Sequence, residues 1–169
     1  MTVNWWQSLD VFLVNMYSVT GSPVIDYFTG TLLLALITVL IGDFTTSLVY
    51  RANKSHFTFL NSRLAELHDI SMMALKLKDR SNYHAVNREA NDTFGLFFFG
   101  LAGLSAAYLW PAFFAVAWMQ TRFADIAFPL FMTGWNANYT FTFLVSYLLM
   151  RLLFSRLRPY LPYFKAQIS

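Results

Sequence analysis

The sequence has 169 residues, of which 57% are hydrophobic and only 12% are charged, and its net charge is +3. A soluble domain carries about 25% charged residues to cover its surface, so this composition excludes an ordinary soluble protein. The apolar residues form long uncharged blocks, which favours membrane-spanning helices over the alternating strands of a lipid-facing barrel. The chain has no cysteine, which excludes disulfides, thiolate metal sites and a cysteine nucleophile.

The N-terminal segment predicts a helix in the outer interface of a membrane. Aromatic and aliphatic residues recur at helical spacing from residue 4 to residue 18, and Trp and Tyr favour the boundary between lipid and water. The turn signal Gly21-Ser22-Pro23 ends this segment. We therefore assign residues 1–23 to an outer interfacial helix and turn. A disordered tail with scattered aromatic residues is the alternative.

Three segments further along the chain are apolar enough to cross a bilayer, which needs about 20 such residues. They are residues 24–50, 93–119 and 135–155, and a proline and a glycine before the last one place residues 120–134 in an outer loop. The predicted fold class is an all-α integral membrane protein with three transmembrane helices, a hairpin between the first two and an N-terminal interfacial helix.

Basic residues are distributed unequally around these spans. None precedes the first span, seven lie between the first two, one lies between the second and third, and four lie at the end of the third or beyond it. Lys and Arg accumulate on the cytoplasmic side of membrane proteins. The count therefore predicts an outside N-terminus, a cytoplasmic segment at residues 51–92 and a basic cytoplasmic tail at residues 156–169.

The cytoplasmic segment predicts a helical hairpin. An apolar stripe of Leu60, Leu64, Leu67 and Leu75 favours a helix over residues 62–78, followed by a turn at residues 79–82 and a return into the second span. Because the two arms differ in length, we expect a break in the first arm between residues 53 and 61. The basic residues that we expect to contact a cytoplasmic partner are Arg51, Arg63, Lys76, Lys78, Arg80 and Arg88.

Asp43 is the one Asp, Glu, Lys or Arg in the interior of a predicted span, away from the span ends that hold Asp26 and Arg151. A charge at the bilayer centre costs about 2.5–3.5 kcal/mol on insertion scales, so Asp43 must face water or a partner. Other polar or small residues near the cytoplasmic ends of the spans suggest a hydrated groove open to the cytoplasm. The alternative is that Asp43 pairs with Arg51 or Arg151 near the interface. The candidate groove residues are Asp43, Thr45, Thr46, Ser47, Asn91, Asp92, Thr93, Gly95 and Ser146.

No catalytic signature is present, so the sequence does not indicate an enzyme. It contains no Gly-rich phosphate loop, no nucleophile elbow and no zinc-protease helix. His68 and Asp69, with Glu66, do not have the spacing of a three-ligand metal site and fit a solvated helix face. We predict no metal and no cofactor.

The order of these segments resembles the minimal three-span members of the YidC/Oxa insertase superfamily, such as archaeal YidC-like proteins and the TMCO and ER-membrane-complex relatives. The resemblance covers residues 24–160. It rests on the order of spans and on short strings: Leu48-Val49-Tyr50-Arg51 at the end of span one, Arg88-Glu89-Ala90-Asn91-Asp92 before span two, and Phe128-Pro129-Leu130 in the outer loop.

The resemblance implies a protein that helps other membrane segments enter the bilayer through a polar groove. Its partners would be the lipid bilayer, nascent membrane proteins, and a ribosome or translocon, without direct binding of nucleic acid, and its location a prokaryotic plasma membrane. Bacterial YidC proteins have an arginine inside the groove, whereas Arg51 lies at the end of the predicted span.

Two other functions fit parts of the same pattern. An accessory or assembly subunit of a larger membrane complex, for example a respiratory one, would use the Phe-rich spans to pack against other subunits. A small-solute or ion carrier would use Asp43 as its coupling acid, but the chain has no internal repeat. Capture of nascent chains, as opposed to a fixed set of subunits, separates the first function from the second.

Overall fold

The computed structural model describes residues 5–129 and 136–157. Residues 1–4, residues 130–134 of the predicted outer loop, residue 135 at the start of the predicted third span, and residues 158–169 of the predicted tail lie outside this part of the chain. The elements in the described ranges are α1 (Trp5–Asn15), α2 (Pro23–Lys76), α3 (Arg80–Phe123), β1 (Ala127–Pro129), β2 (Asn136–Asn138) and α4 (Tyr139–Leu157).

Helices α2, α3 and α4 are each long and apolar enough to cross a membrane. This confirms, at the level of helix length and composition, the prediction of an α-helical chain with three membrane-spanning segments. Helices α2 and α3 also extend well beyond what a bilayer requires, with 54 and 44 residues. A span of about 20 residues leaves a long remainder in each.

The expected break between residues 53 and 61 is wrong, because α2 continues without interruption to Lys76. No glycine or proline follows Gly42 in this helix, so nothing in the sequence interrupts its hydrogen bonds. The Asn53 side chain also bonds within the helix, donating from Nδ2 to the Val49 carbonyl at 2.9 Å. The amide thus does not form the competing turn that we expected from it.

The turn between α2 and α3 lies at residues 77–79, earlier than the predicted 79–82. Lys78 has a φ of 56°, and the Lys78 and Asp79 amides donate to the carbonyls of Leu75 and Ala74, at 3.1 and 3.0 Å. This is the Schellman arrangement that ends a helix. The Asp79 carboxylate then accepts the Asn82 N–H at 3.1 Å, so Asp79 caps the start of α3 rather than opening the turn.

The chain divides into two compact units. The first contains Met1–Asp43 and Leu109–Ser169, and the second contains Phe44–Tyr108. The boundary lies inside α2 and inside α3, so each of these helices contributes to both units.

In the first unit, the linker between α1 and α2 is organised around Asp26. Its buried carboxylate accepts the backbone N–H groups of Val19, Thr20 and Gly21, at 3.1, 2.6 and 3.0 Å, and the Thr20 hydroxyl at 2.8 Å. Gly21 has a φ of 77°, which favours glycine over residues with a side chain. One carboxylate therefore satisfies the backbone donors of a tight turn.

Helix α4 begins at Tyr139, four residues later than the predicted span. Residues 136–138 instead pair antiparallel with β1, with Ala137 opposite Phe128. Asn138 then caps α4, because its Oδ1 accepts the Phe141 N–H at 3.0 Å. The short sheet was not anticipated from the sequence.

The second unit is an antiparallel pair formed by the adjoining parts of α2 and α3. Phe57, Leu60, Leu67 and Ala74 of α2 are buried, at spacings of three and seven residues. The predicted stripe was partly wrong: Leu60 and Leu67 are buried, but Leu64 is half-buried and Leu75 is exposed. A heptad-like spacing, as in packed helix pairs, selects Ala74 rather than Leu75.

Candidate functional site

The candidate groove residues belong to both units. In the first unit, Asp43 is half-buried and Ser146 is buried. In the second, Thr45, Thr46, Thr93 and Gly95 are half-buried, Ser47 is buried, and Asn91 and Asp92 are exposed. The Thr46 hydroxyl oxygen is buried with no hydrogen-bond partner among the residues described.

Contacts between α2 and α3 in the second unit fix how the two helices align. The rings of Phe57 and Phe97 have centroids 6.3 Å apart, and a Cβ at Gly100 would lie 2.8 Å from Phe57 Cε1. Nearer the turn, Arg63 Nη2 donates to Glu89 Oε1 at 2.6 Å. Residues on the two helices are therefore level when their numbers add up to about 156, the sum expected for a turn centred at residue 78.

This alignment separates two groups of candidate residues within the second unit. Residues 91–95 lie level with residues 61–65 of α2, about 14 residues beyond Ser47. At 1.5 Å per residue that is about 20 Å along the helix. The second unit thus does not bring Thr45, Thr46 and Ser47 together with the polar residues that begin the second predicted span.

The same alignment places polar residues of α2 at the level of apolar residues of α3. The α2 segment 51–56 contains Arg51, Asn53, Lys54 and His56, and all six of its residues are exposed. It lies level with residues 100–105 of α3, near the middle of the uncharged stretch 93–121. Arg51 is thus level with the interior of the second span, although it follows the end of the first.

The α3 side of this level is strongly apolar. Phe98, Phe99 and Leu101 are 54%, 73% and 43% exposed, and only 11% of the most apolar window of α3 is buried. No signal along a single helix shows this contrast, since the polar stretch and the apolar stretch belong to different helices. Their alignment follows from the position of the turn.

The predicted partner-contact residues lie mostly on the surface of the second unit. Arg63 binds two carboxylates, Glu66 Oε2 at 2.7 Å and Glu89 Oε1 at 2.6 Å, and these bonds raise the pKa of its guanidinium, with the Glu89 bond the larger cause. Arg63 thus has a structural role in joining the helices. The other predicted contact residues are all exposed: Arg51, Lys76, Lys78, Arg80 and Arg88.

The turn between α2 and α3 combines basic and apolar surface. Met73, Leu75 and Leu77 are 65%, 55% and 80% exposed beside Lys76 and Lys78. An open cavity of about 280 Å³ lies at the same place, lined by Ala74, Leu75, Lys78, Asp79, Arg80 and Tyr83. In the described residues, no group of three or more His, Asp or Glu side chains is placed to hold a metal ion.

The sequence prediction missed a polar cluster in the first unit. Asp10 of α1 accepts the Trp118 Nε1–H at 3.0 Å and the Arg122 Nε–H at 3.2 Å, and it also forms an ion pair with Arg122 Nη2. The Trp118 hydrogen bond, followed by that of Arg122, holds the pKa of the Asp10 carboxyl below its usual value. The signal was available, because Asp10 and Arg122 are isolated charges in apolar segments.

A second buried polar pair links α2 to α4 in this unit. Tyr27 and Thr142 share a hydrogen bond of 2.6 Å between their hydroxyl oxygens. Tyr17 packs on Gly30 and hydrogen bonds to Thr31 at 3.4 Å. These contacts join α2 to α4 and to the linker that precedes α2.

Comparison with protein-family models, with curated proteins and with solved structures found no significant match. The likeness to insertases therefore rests on the order of segments and on short sequence strings.

Proposed function

We propose that this chain assists the insertion or assembly of other membrane proteins, as YidC/Oxa-type insertases do. We place it in a prokaryotic plasma membrane with its N-terminus outside and its C-terminus in the cytoplasm, as the distribution of basic residues favours. Its clients would be nascent membrane proteins, delivered with a ribosome or translocon.

The proposal rests on one observation: residues 51–56 of α2 lie at the same height along the helix pair as residues 100–105 of α3. When the uncharged stretch of α3 lies in the bilayer, the exposed polar residues of α2, such as Lys54, lie at membrane depth and need water or a polar partner. Charged and amide groups without water or partners cost several kcal/mol in hydrocarbon. A water-filled furrow along α2 would satisfy them.

Such a furrow would lower the barrier for a client. The polar end of a membrane protein has to cross the hydrocarbon region, and a polar path through one leaflet shortens the apolar part of that route. In this arrangement Lys54, which is exposed, is the base placed to attract an acidic client segment. Thr45, Thr46 and Ser47, in the same unit, would line the inner end of the furrow. On the same proposal, the Met- and Leu-rich surface at the turn, with its basic residues, receives clients or their delivery partners.

Paired cysteine variants test the furrow, since the natural chain has no cysteine. Lys54→Cys and Ala102→Cys are at the same level on opposite helices. We expect a small impermeant thiol reagent, added from the cytoplasmic side, to label Lys54→Cys but not Ala102→Cys. Ser81→Cys, at the start of α3, serves as the positive control for cytoplasmic access. Equal protection of Lys54→Cys and Ala102→Cys would contradict the furrow.

A second experiment tests the function itself. Photo-crosslinkers at Asn53 and Lys54 should capture newly made membrane segments. A crosslinker at Thr121, which is also exposed but lies near the C-terminal end of α3, is the control and should not capture them. Lys54→Ser should reduce insertion of clients with acidic ends severalfold, and Lys54→Arg should retain most of it, because the charge is kept.

The accessory subunit is the second candidate, and the exposed apolar surface of α3 favours it. Such a surface would pack against other subunits of a larger complex. Purification in mild detergent with one fixed set of membrane subunits, together with no crosslink to nascent chains, would favour this function over the insertase.

A further inference from the structure

Charge is divided unevenly along the helix pair of the second unit. We name residues 72–84 the hairpin tip, and residues 61–71 together with 85–92 the hairpin body. The tip contains three Lys or Arg residues and one Asp, whereas the body contains two Arg residues and four Asp or Glu residues. The tip is therefore basic, and the body, which lies between the tip and the uncharged stretch of α3, is acidic.

The three bases of the tip are available to a partner. Lys76, Lys78 and Arg80 are all exposed, and none of them is in an ion pair with a described residue. The one acid of the tip is already used within the chain, because the Asp79 carboxylate accepts the backbone N–H and the Nδ2–H of Asn82, at 3.1 and 2.6 Å. The tip thus keeps a net positive surface.

Exposed apolar side chains lie among these bases. Leu77 is 80% exposed, the highest value among the large apolar residues that the structure describes. The open cavity at the turn is lined by Leu75 and Tyr83 as well as by Lys78 and Arg80. Its volume of about 280 Å³ is below the ~300–1,000 Å³ of pockets for small molecules, so it suits a single side chain of a larger partner. An apolar patch rimmed by polar groups is typical of a protein contact.

The height of the tip argues against lipid as its partner. Arg80 precedes Thr93, where the uncharged stretch begins, by about 13 residues, or about 20 Å along α3. No glycine or proline lies between them, so nothing bends the helix towards the bilayer. The headgroup layer extends only about 5–8 Å beyond the hydrocarbon. With the uncharged stretch in the bilayer, the tip lies more than one Debye length of about 8 Å beyond the headgroups.

The backbone at Lys78 is a further observation that points to a bound partner. Its φ of 56° lies in the left-handed region, at the position after a helix that glycine usually occupies. A residue with a side chain is less stable there than glycine, and such outliers cluster at functional sites. The lysine therefore does not serve the stability of the turn.

We propose that the hairpin tip binds an acidic amphipathic helix of a soluble protein. Its carboxylates pair with Lys76, Lys78 and Arg80, and its apolar side chains cover Leu77 and enter the cavity. This inference rests on the proposed function, because it names the chemistry of the partner that delivers clients to the turn.

Charge argues against the chain itself as the occupant. The tip of a second copy carries the same positive charge, and residues 158–169 contain Arg158 and Lys165 but no acid. RNA matches the charge of the tip, but its phosphates, which dominate such contacts, leave Leu77 uncovered. An acidic protein segment with an apolar face matches both the bases and the leucine.

Binding of two synthetic peptides to the full chain in phosphatidylcholine nanodiscs tests the proposal. Both labelled peptides consist of the same Glu and Leu residues, but the leucines form one helical face in the first and are dispersed around the helix in the second. We expect fluorescence anisotropy to show binding of the first peptide and roughly fivefold weaker binding of the second. Equal binding of the two, or no binding of the first, would overturn the proposal.

Competition identifies the other occupants. Phosphatidylserine vesicles, or an RNA duplex, are added at the same concentration of negative charge as the first peptide and at physiological salt. We expect the peptide to stay bound in both cases. Displacement by the vesicles would make lipid the occupant, displacement by the duplex would make it nucleic acid, and either result would refute a protein partner.

Two variants of the tip have control variants on the body. Leu77→Ser should weaken binding of the first peptide by roughly tenfold, and Lys78→Gly by roughly threefold. Ile70→Ser and Arg88→Ala, which change exposed residues of the body, should leave binding unchanged. Lys78→Gly should not lower the melting temperature, because glycine favours this backbone, so its loss of binding is not a folding defect. Unchanged binding in both tip variants, or equal losses in the controls, would contradict the site.

This experiment fails or succeeds separately from the test of the insertase. Peptide binding requires no client, whereas crosslinking at Lys54 requires one. Peptide binding without crosslinks to nascent chains would retain the tip as a binding site and refute the insertase. Crosslinks without peptide binding would retain the insertase and overturn the proposal for the tip.

Discussion

In the first unit, polar side chains that are distant in sequence bind one another beside a cluster of aromatic rings that includes Tyr17, Trp118 and Phe123. In the described part of the second unit, two neighbouring helices are joined by packing around Phe57 and by the exposed ion pairs of Arg63. Buried hydrogen bonds contribute about 0.5–1.5 kcal/mol each, and removing one partner costs more because the other is left unpaired. The first unit therefore depends on particular partners, whereas the second can change its outward residues without losing its fold. That freedom suits a surface that contacts other proteins.

The largest effect should come from Asp26 in the first unit. Asp26→Ala leaves the backbone donors of Val19, Thr20 and Gly21 without their acceptor, so we expect the largest loss of thermal stability among the variants considered for either unit. Thermal unfolding in detergent measures it. Asp125→Ala, which removes an exposed carboxylate, is the control and should leave the melting temperature unchanged. Equal melting temperatures for the two variants would contradict the dependence on Asp26.

Two helical glycines compare the packing of the units directly. A Cβ at Gly30 would lie 2.5 Å from Tyr17 Cγ, at the base of the ring, whereas Gly103 has open space around it. We expect Gly30→Ala to lower the free energy of unfolding by about 1–3 kcal/mol, as for overpacked cores. Gly103→Ala should raise it by up to about 1 kcal/mol, because alanine favours the helix. Chemical denaturation of both variants measures the sign of each change. A loss of stability in both would mean that Gly103 is packed against another residue.

The smallest effect concerns the Asp10 link between α1 and α3. The pKa of Asp10 is lowered in the folded chain by the bonds from Trp118 and Arg122. A depressed pKa contributes stability above the unfolded value of about 3.8, and this contribution is lost as pH falls through the folded pKa. Asp10→Asn should therefore be less stable than the natural chain at pH 7, and the difference should narrow as the pH falls below about 3.8.

The measurement is the melting temperature of the natural chain and of Asp10→Asn at each pH, and the quantity compared is the difference between them. Because Asp10 and Arg122 are accessible to solvent, raising the salt concentration at pH 7 should also reduce the difference. A difference that does not change between pH 7 and pH 3 would show that the carboxylate charge has no role in holding α1.

The sequence alone determined the number and approximate positions of the apolar segments. Uncharged stretches of sufficient length define spans whatever their tertiary contacts, because lipid accepts little charge. It also placed the turn between α2 and α3 to within about two residues, because residues 79–82 are turn-forming, although Asp79 caps the start of α3. The sequence could also have predicted that α2 continues without a break, because the segment after Gly42 contains no glycine or proline.

Only the tertiary structure decided which residues of different helices share a level. The position of the turn at residue 78 places Arg51 beside the interior of α3, a relation that no periodicity within either helix encodes. The same holds for Tyr27 with Thr142 and for Asp10 with Trp118, which are separated by more than 100 residues. Hydropathy reports where a helix can lie in lipid, but the alignment of two helices follows from the contacts between them.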